Sequence, residues 1–140
     1  MRPRINIVTL LVEDLDRSLI FYRDGLGFPT EGIADPADGG DHILFELEDG
    51  TSFVLLLRSS VAELYGSSVP SGSSGCILSH YAESADDVDE ILQDAVIAGG
   101  EIAVEPVDLP WGYAGYFKDP DGHLWEIMWN SDEEEELQPA

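Results

Sequence analysis

Apolar residues in this chain recur at two different periods, which together predict alternating strands and helices. The mainly apolar run over residues 5–12 is typical of a strand. Asp14 then supplies an oxygen acceptor suited to capping a helix. After it, Leu15, Leu19 and Tyr22 recur at helical spacing, so a helix is expected directly after the first strand.

Three further short segments of the first half are predicted strands, because turn and loop residues separate them. They span residues 30–33, 42–47 and 52–57. A loop rich in Asp, Pro and Gly (35–40) separates the first two, and residues 48–51 supply a hairpin turn before the third. A first module of one strand, one helix and three strands is therefore predicted over about residues 4–58.

Residues 59–75 are the predicted linker between the two halves. They begin with a helical turn at residues 61–65 and continue as a Ser- and Gly-rich stretch, whose composition favours a flexible connection.

The second half repeats this order over about residues 76–130. A strand is predicted at 76–83, a helix after Ser84, a strand near 102–104 and a hairpin that turns at 120–122. The helix has the clearest pattern, and Ser84 with Asp87 resembles a capping box. Its apolar face comprises Val88, Ile91, Leu92, Ala95 and Val96.

Two pairs of landmarks indicate a duplication. Matching the helix starts at Asp14 and Asp87 gives a repeat of 73 residues, and matching the turn glycines Gly50 and Gly122 gives 72. The predicted fold class is α+β, a single domain over residues 1–130 in which two βαβββ modules form a curved mixed sheet around a cleft. One helix per module covers one sheet face, so the other face is expected to line a ligand cleft.

The net charge of the chain limits the classes of molecule that it is expected to bind. The formal net charge is −23, and it is still −18 without the five acids of residues 132–136. Nucleic acids and anionic membranes require clustered basic residues, so neither is an expected partner. Lys118 is the only lysine. This composition is typical of proteins from salt-loving organisms, and an ordinary acidic protein is the alternative.

The location and the tail are predicted from simple features. Cys76 is the only cysteine, so no disulfide forms within the chain. The opening apolar run is too short for a signal peptide or a membrane span, which predicts a cytoplasmic protein. The acidic tail, residues 131–140, is expected to be disordered.

Two motifs resemble the vicinal oxygen chelate superfamily, which includes glyoxalases, bleomycin resistance proteins and dioxygenases. Residues 11–28, LVEDLDRSLIFYRDGLGF, resemble the opening of its members, and residues 117–126, FKDPDGHLWE, resemble their closing hairpin. The segment Trp111-Gly112-Tyr113 further resembles a glyoxalase-like subgroup. The resemblance covers residues 5–130 and implies the two-module fold, a small-molecule ligand and a homodimer.

The resemblance also implies four equivalent metal-ligand points, on the first and last strand of each module. With the repeats above, these points are Ile7 and Val54 in the first module and His80 and Glu126 in the second. Two donors do not complete a catalytic metal shell. No metal or other cofactor is therefore expected, and a divalent metal held weakly by His80 and Glu126 is the alternative.

The first predicted function is that of a glyoxalase-like protein that binds a small organic molecule without a complete metal site. His80 and Glu126 would be the polar or catalytic pair. The other candidate ligand-binding residues are Ile7, Val54, Leu56, Leu78, Trp111, Tyr113, Tyr116 and Met128. The alternative is a lyase, isomerase or dioxygenase that uses His80 and Glu126, with or without a weakly held divalent metal. A structural role for His80 is as plausible on sequence alone.

Overall fold

The computed structural model describes residues 1–65 and 76–131, and the chain divides into two compact units, Met1–Gly72 and Ser73–Ala140. We call them module 1 and module 2. Each contains a four-stranded mixed sheet, and the sheet orders are β1-β4-β3-β2 and β5-β8-β7-β6. This α+β architecture of two related modules confirms the predicted fold class. No helix in the described part of the chain has the length and apolar character needed to span a membrane.

Module 1 follows the predicted order of elements. Asp14 caps the first helix as expected, since its Oδ1 accepts a hydrogen bond from the Arg17 backbone N–H at 3.1 Å. The elements are β1 (Ile7–Val12), α1 (Leu15–Leu19) continued by a π-helical turn (Ile20–Gly25), β2 (Thr30–Ile33), β3 (His42–Glu46), β4 (Ser52–Leu57) and α2 (Arg58–Tyr65). The helical turn predicted at residues 61–65 belongs to α2, which begins at Arg58 directly after β4. The Ser- and Gly-rich part of the linker lies outside the described residues.

Strand alternation gives module 1 a core face and an open face. On the core face, Phe53 and Phe45 lie against Tyr22 from the turn that continues α1, with ring centroids 5.3 and 6.1 Å from that of Tyr22. Leu55 is fully buried on the same face. The register places the alternate residues of β1, β3 and β4 on the other face, which we call the open face of module 1: Ile7, Thr9, Leu11, His42, Leu44, Glu46, Ser52, Val54 and Leu56.

The edge strand β6 of module 2 is longer than the sequence pattern predicts. The elements of module 2 are β5 (Ile77–Tyr81), α3 (Ala85–Ile97), β6 (Glu101–Leu109), β7 (Gly112–Lys118) and β8 (Leu124–Asn130). The predicted strand near 102–104 is the beginning of β6, whose register with β7 shifts twice. Such shifts interrupt the two-residue period, which explains why the rest of β6 was not recognised. The acidic tail lies outside the described residues beyond Ser131.

Helix α3 covers one face of the module 2 sheet. A Cβ added to Gly115 would lie 2.9 Å from the Leu92 side chain of α3, so Gly115 faces the helix. Gly115 pairs with Ile127 of β8, which is buried on the same side. The alternate residues, including Tyr116 and Glu126, therefore lie on the face that α3 leaves uncovered. We call this the open face of module 2.

The helix caps correct the repeat length on the first strands. Ser84 is the N-cap of α3, because its Oγ accepts from the Asp87 backbone N–H at 3.0 Å. Asp87 is thus three residues past the position that corresponds to Asp14. The N-caps are separated by 70 residues, so the match of Asp14 with Asp87 and its repeat of 73 are wrong.

The strand register agrees with the corrected repeat. Ile7 pairs with Ser52 in module 1, and Ile77 pairs with Leu124 in module 2. Ser52 and Leu124 each follow their turn glycine by two residues. Ile7 therefore corresponds to Ile77, not to His80.

Candidate functional site

A hydrogen-bonded carboxylate lies in the middle of the open face of module 2. Glu126 is on the central strand β8, between Ser79 of β5 and Tyr116 of β7, which are its direct partners in the sheet register. The Ser79 hydroxyl donates to Glu126 Oε1 at 3.0 Å, and the Tyr116 hydroxyl donates to Oε2 at 3.1 Å. Both carboxylate oxygens are thus held by neutral donors. We call Glu126, Ser79 and Tyr116 the Glu126 site.

Tyr116 stays protonated in this arrangement. Burial raises the pKa of its hydroxyl above 10, and the hydrogen bond to Glu126 and the charge of that carboxylate raise it further. Tyr116 is therefore a hydrogen-bond donor throughout the neutral range, and it lies beside the carboxylate on the open face of module 2.

Apolar residues surround the Glu126 site on the same face. Met128 follows two residues along β8 and pairs with Tyr81 and Ala114. Ile77 and Tyr81 flank Ser79 along β5 and are 50% and 60% exposed. A carboxylate among accessible apolar side chains combines directional hydrogen bonding with area for contact, as small-molecule sites do.

The prediction that His80 and Glu126 share one face is wrong. His80 pairs with Ile127, so its side chain points to the α3 side of the sheet, whereas Glu126 is on the open face. His80 is exposed there and borders a shallow depression with residues of the α3 N-terminal turns. The error has a definite origin, since a displacement of three positions along a strand moves a residue to the opposite face.

Two predicted ligand-binding residues of module 2 also lie on the α3 side. Leu78 pairs with Trp125 on that side. Tyr113 donates a hydrogen bond to Asp89 of α3 at 2.8 Å, and this bond raises the pKa of Tyr113 above 10. Neither side chain shares the face of Glu126. Trp111 lies in the turn between β6 and β7, where its carbonyl accepts from the Ser131 backbone N–H at 2.8 Å.

The predicted ligand-binding residues of module 1 do share one face. Ile7, Val54 and Leu56 all lie on the open face of module 1. Ile7 is 57% exposed, and the other two are half-buried. This face is thus largely aliphatic along β1 and β4 and becomes polar along β3, at His42 and Glu46.

Two polar contacts were missed by the sequence reasoning. The first is the contact of Ser79 with Glu126. Matching the helix caps gives a repeat of 70 residues, which aligns Ser79 with Thr9 on the open face and would have placed Ser79 on the same face as Glu126. Asp41 and His42 form a second pair, in which His42 Nδ1 lies 3.0 Å from Asp41 Oδ1. Their adjacency in sequence carries no recognisable motif, because the contact depends on side-chain conformation.

The family comparison agrees with this architecture. Residues 4–127 match the model of the Glyoxalase/Bleomycin resistance protein/Dioxygenase superfamily. The chain belongs to this superfamily. A glyoxalase-related enzyme from Fulvimarina pelagi has a similar fold, with a TM-score of 0.81 and 28% identity, and the match covers 92% of this chain and 89% of that one.

Two relatives are similar in sequence over most of this chain. The uncharacterized protein YraH of Bacillus subtilis (strain 168) is 31% identical over 126 residues, which cover 86% of this chain and 93% of YraH. Lactoylglutathione lyase GLX1 of Arabidopsis thaliana is 29% identical over 125 residues, again 86% of this chain. The match covers 42% of the lyase, so this chain spans less than half of its length.

Members of the superfamily often use a metal ion, and the corrected repeat allows its ligand points to be examined. They are Ile7 and Val54 in module 1 and Ile77 and Glu126 in module 2. Only Glu126 carries a donor atom, and its two oxygens already accept hydrogen bonds. Among the described residues, no group of three or more His, Cys, Asp or Glu side chains is placed to hold a metal. The residues present do not fit a resident metal ion, which needs several protein ligands.

Proposed function

We propose that this chain is a glyoxalase-like protein that binds a small organic molecule, with Glu126 as its polar anchor and without a complete metal site. The observation that carries this proposal is the pair of hydrogen bonds that fix Glu126 on the open face of module 2. A half-buried carboxylate oriented by two hydroxyl groups is preorganised to accept a hydrogen bond from a ligand.

The chemistry of the Glu126 site limits the group that it would bind. A carboxylate offers about four lone-pair positions. Ser79 and Tyr116 occupy one on each oxygen, so acceptor capacity remains for a hydroxyl, amide or amine of the ligand. An anionic group would be repelled by the carboxylate at this point. Ile77, Tyr81 and Met128 would contact the apolar part of the molecule.

The open face of module 1 supports the same function. Ile7, Val54 and Leu56 present an aliphatic surface where metal-using relatives are expected to carry ligands. Such a surface favours apolar contact over chelation, which is consistent with binding of an organic molecule.

A second candidate function is catalysis by Glu126 as a lyase, isomerase or dioxygenase of the same superfamily, with or without a weakly held metal. The hydrogen bond of 3.1 Å between Tyr116 and Glu126 favours it, because it places a proton donor beside a carboxylate. His80 does not support this reaction, since it lies on the opposite face. A proton would instead move through Glu126 with Tyr116 as its partner.

The experiment is a thermal-shift screen of a metabolite library in the presence of a chelator, followed by calorimetric titration of the molecules that bind. We expect binding with chelator present, and Glu126→Gln should weaken it roughly tenfold or more, because a hydrogen bond to a charged group is lost. His80→Asn is the matched control and should leave the affinity unchanged.

The outcomes separate the two functions and can reject both. Binding without chemical conversion supports the first function, and conversion that Glu126→Gln abolishes supports the second. Binding that is insensitive to Glu126→Gln, or that requires added metal and His80, would contradict the proposed site.

A further inference from the structure

The hydroxyl hydrogens of the Glu126 site are both directed at the carboxylate. The Ser79 hydroxyl donates to Oε1 at 3.0 Å, and the Tyr116 hydroxyl donates to Oε2 at 3.1 Å. A hydroxyl has one hydrogen, so each of these groups has used its only donor and keeps lone pairs alone. The ionised carboxylate has no hydrogen either. The three side chains therefore present hydrogen-bond acceptors, and no donor, to a ligand.

This pattern of acceptors holds across the neutral pH range. Burial, followed by the hydrogen bond to Glu126, raises the pKa of Tyr116 above 10. The Tyr116 hydroxyl therefore keeps its hydrogen, and that hydrogen stays on the carboxylate rather than becoming available to a ligand.

The charge of Glu126 is not balanced by a basic side chain. Ser79 and Tyr116 are neutral, and within residues 76–131 no Lys, Arg or His forms an ion pair with Glu126. That stretch contains twelve acidic side chains and one Lys or Arg, Lys118. The register partner of Lys118 on β6 is Glu101, so the basic group already faces a carboxylate. The Glu126 site thus lacks both a hydrogen-bond donor and a positive charge.

These two deficits separate the polar groups that a ligand could place there. A hydroxyl is neutral and donates one hydrogen, and the carbonyl of an amide would meet only acceptors. A protonated primary amine carries three donors, no acceptor and a positive charge, as the Lys ammonium does. Its hydrogen bonds to a carboxylate are about twice as strong as those between neutral groups. The ammonium group therefore matches the site in both hydrogen bonding and charge.

We propose that the Glu126 site is specific for the protonated primary amine of a small organic molecule, which donates to Glu126 and to the hydroxyl oxygen of Ser79 or Tyr116. This assignment rests on the proposed function, because it takes Glu126 as the polar anchor, and it narrows the ligand to an alkylammonium compound. The apolar part of that molecule would lie against Met128 and Tyr81, which are register partners on β8 and β5.

The test compares three probes that share a benzyl group. Benzylamine has a positive charge and three donors at neutral pH, benzyltrimethylammonium has the charge without a donor, and benzyl alcohol has one donor without a charge. Binding is followed by the methyl signal of Met128 in protein labelled with ¹³C at its two methionines. Met128 is two residues from Glu126 on the same face, and Met128→Leu assigns the signal.

We expect benzylamine to bind saturably and roughly tenfold or more tightly than either of the other probes, because it alone makes charge-assisted hydrogen bonds. Glu126→Gln should remove this preference, since the amide is uncharged and brings donors of its own. Tyr116→Phe keeps the carboxylate but removes one acceptor, so it should weaken benzylamine more than benzyltrimethylammonium. His80→Asn, on the opposite face, is the control and should change none of the three affinities.

Four results would overturn the proposal. Equal binding of benzyltrimethylammonium and benzylamine would indicate a diffuse attraction of cations to an acidic chain. Equal binding of benzyl alcohol and benzylamine would show that charge does not select the ligand. Benzylamine binding that is insensitive to Glu126→Gln, or no saturable binding of benzylamine, would reject the ammonium group at this site.

Failure of this proposal is distinguishable from failure of the proposed function. A neutral molecule from the metabolite library that binds and depends on Glu126 would reject the ammonium class and leave Glu126 as the anchor. Library molecules whose binding is insensitive to Glu126→Gln would reject the anchor itself.

Discussion

At the scale of single residues, the placement of Glu126 depends on two hydroxyl groups. A carboxylate beside Ile77, Tyr81 and Met128 is unfavourable unless its oxygens are hydrogen-bonded. Ser79 and Tyr116 supply those bonds from the two neighbouring strands. Because both donors are neutral, they preserve the negative charge and orient it on the open face of module 2.

The Glu126–Tyr116 hydrogen bond predicts how Tyr116 ionises. Replacing Glu126 with Gln removes the negative charge and should lower the raised pKa of Tyr116 toward 10. Absorbance at alkaline pH measures this ionisation, and Tyr116→Phe assigns the signal. Tyr113 is the internal control, since its raised pKa depends first on Asp89 and should not change.

The raised pKa of Tyr116 also makes the stability of the folded chain depend on pH. Because the pKa of folded Tyr116 is raised above the ordinary value of 10, its contribution to stability is fully present below pH 10. That contribution is lost as the pH rises through the folded-state pKa.

An unchanged Tyr116 titration in Glu126→Gln would show that the two side chains do not interact.

At the scale of elements, α3 is fixed at its start by a reciprocal pair of hydrogen bonds. Ser84 Oγ accepts from the Asp87 backbone N–H, and Asp87 Oδ2 accepts from the Glu83 backbone N–H, both at 3.0 Å. These bonds satisfy N–H groups that have no partner within the helix. The helix in turn packs on Gly115, whose missing side chain allows close contact with Leu92.

Ser84→Ala should therefore destabilise the folded chain by about 1 kcal/mol, the usual contribution of an N-cap side chain. Urea unfolding of both proteins measures the difference in the free energy of unfolding. Gln93→Ala, at an exposed position within α3, is the control and should change that free energy by less than about 0.5 kcal/mol. Equal effects of the two substitutions would show that the cap does not stabilise the helix.

Much of the fold was predictable at this scale because its periods are regular. Strand β4 has the bounds predicted, and the alternation of Glu126 and Met128 against Ile127 was also predicted correctly. The register shifts of β6 and the π-helical turn after α1 were not, since neither follows the regular period. The assignment of His80 to the ligand face was wrong because it depended on a single landmark. The helix start was placed at Asp87 and not at Ser84, and this error of three residues moved the predicted ligand point to the opposite face.

At the scale of the whole molecule, the net charge of −23 is the dominant feature. Like charges repel within the folded chain. At a salt concentration of 0.1 M, this repulsion is largely screened between exposed charges that are more than about 10 Å apart, and higher salt shortens that distance. We therefore expect the melting temperature to rise from low to molar salt. Sodium chloride and potassium chloride should act alike if screening is the cause. A melting temperature that falls or stays constant would favour an ordinary acidic protein over one adapted to salt.

The assembly and location of the chain stay predictions. The homodimer follows from the superfamily resemblance, and the cytoplasmic location follows from the sequence. The homodimer is compatible with the fold of each module, whose sheets end in the edge strands β1, β2, β5 and β6.

Whether Glu126 binds an organic ligand or a metal ion is tested most directly by loading the protein with Zn²⁺, Ni²⁺, Mn²⁺ or Fe²⁺, desalting it and measuring the retained metal. The ligand points Ile7, Val54 and Ile77 offer no donor atoms, so retained metal should be far below stoichiometric and equal in Glu126→Gln. Stoichiometric metal in the unmodified chain that is lost in Glu126→Gln would contradict the proposed function and establish a chelate site.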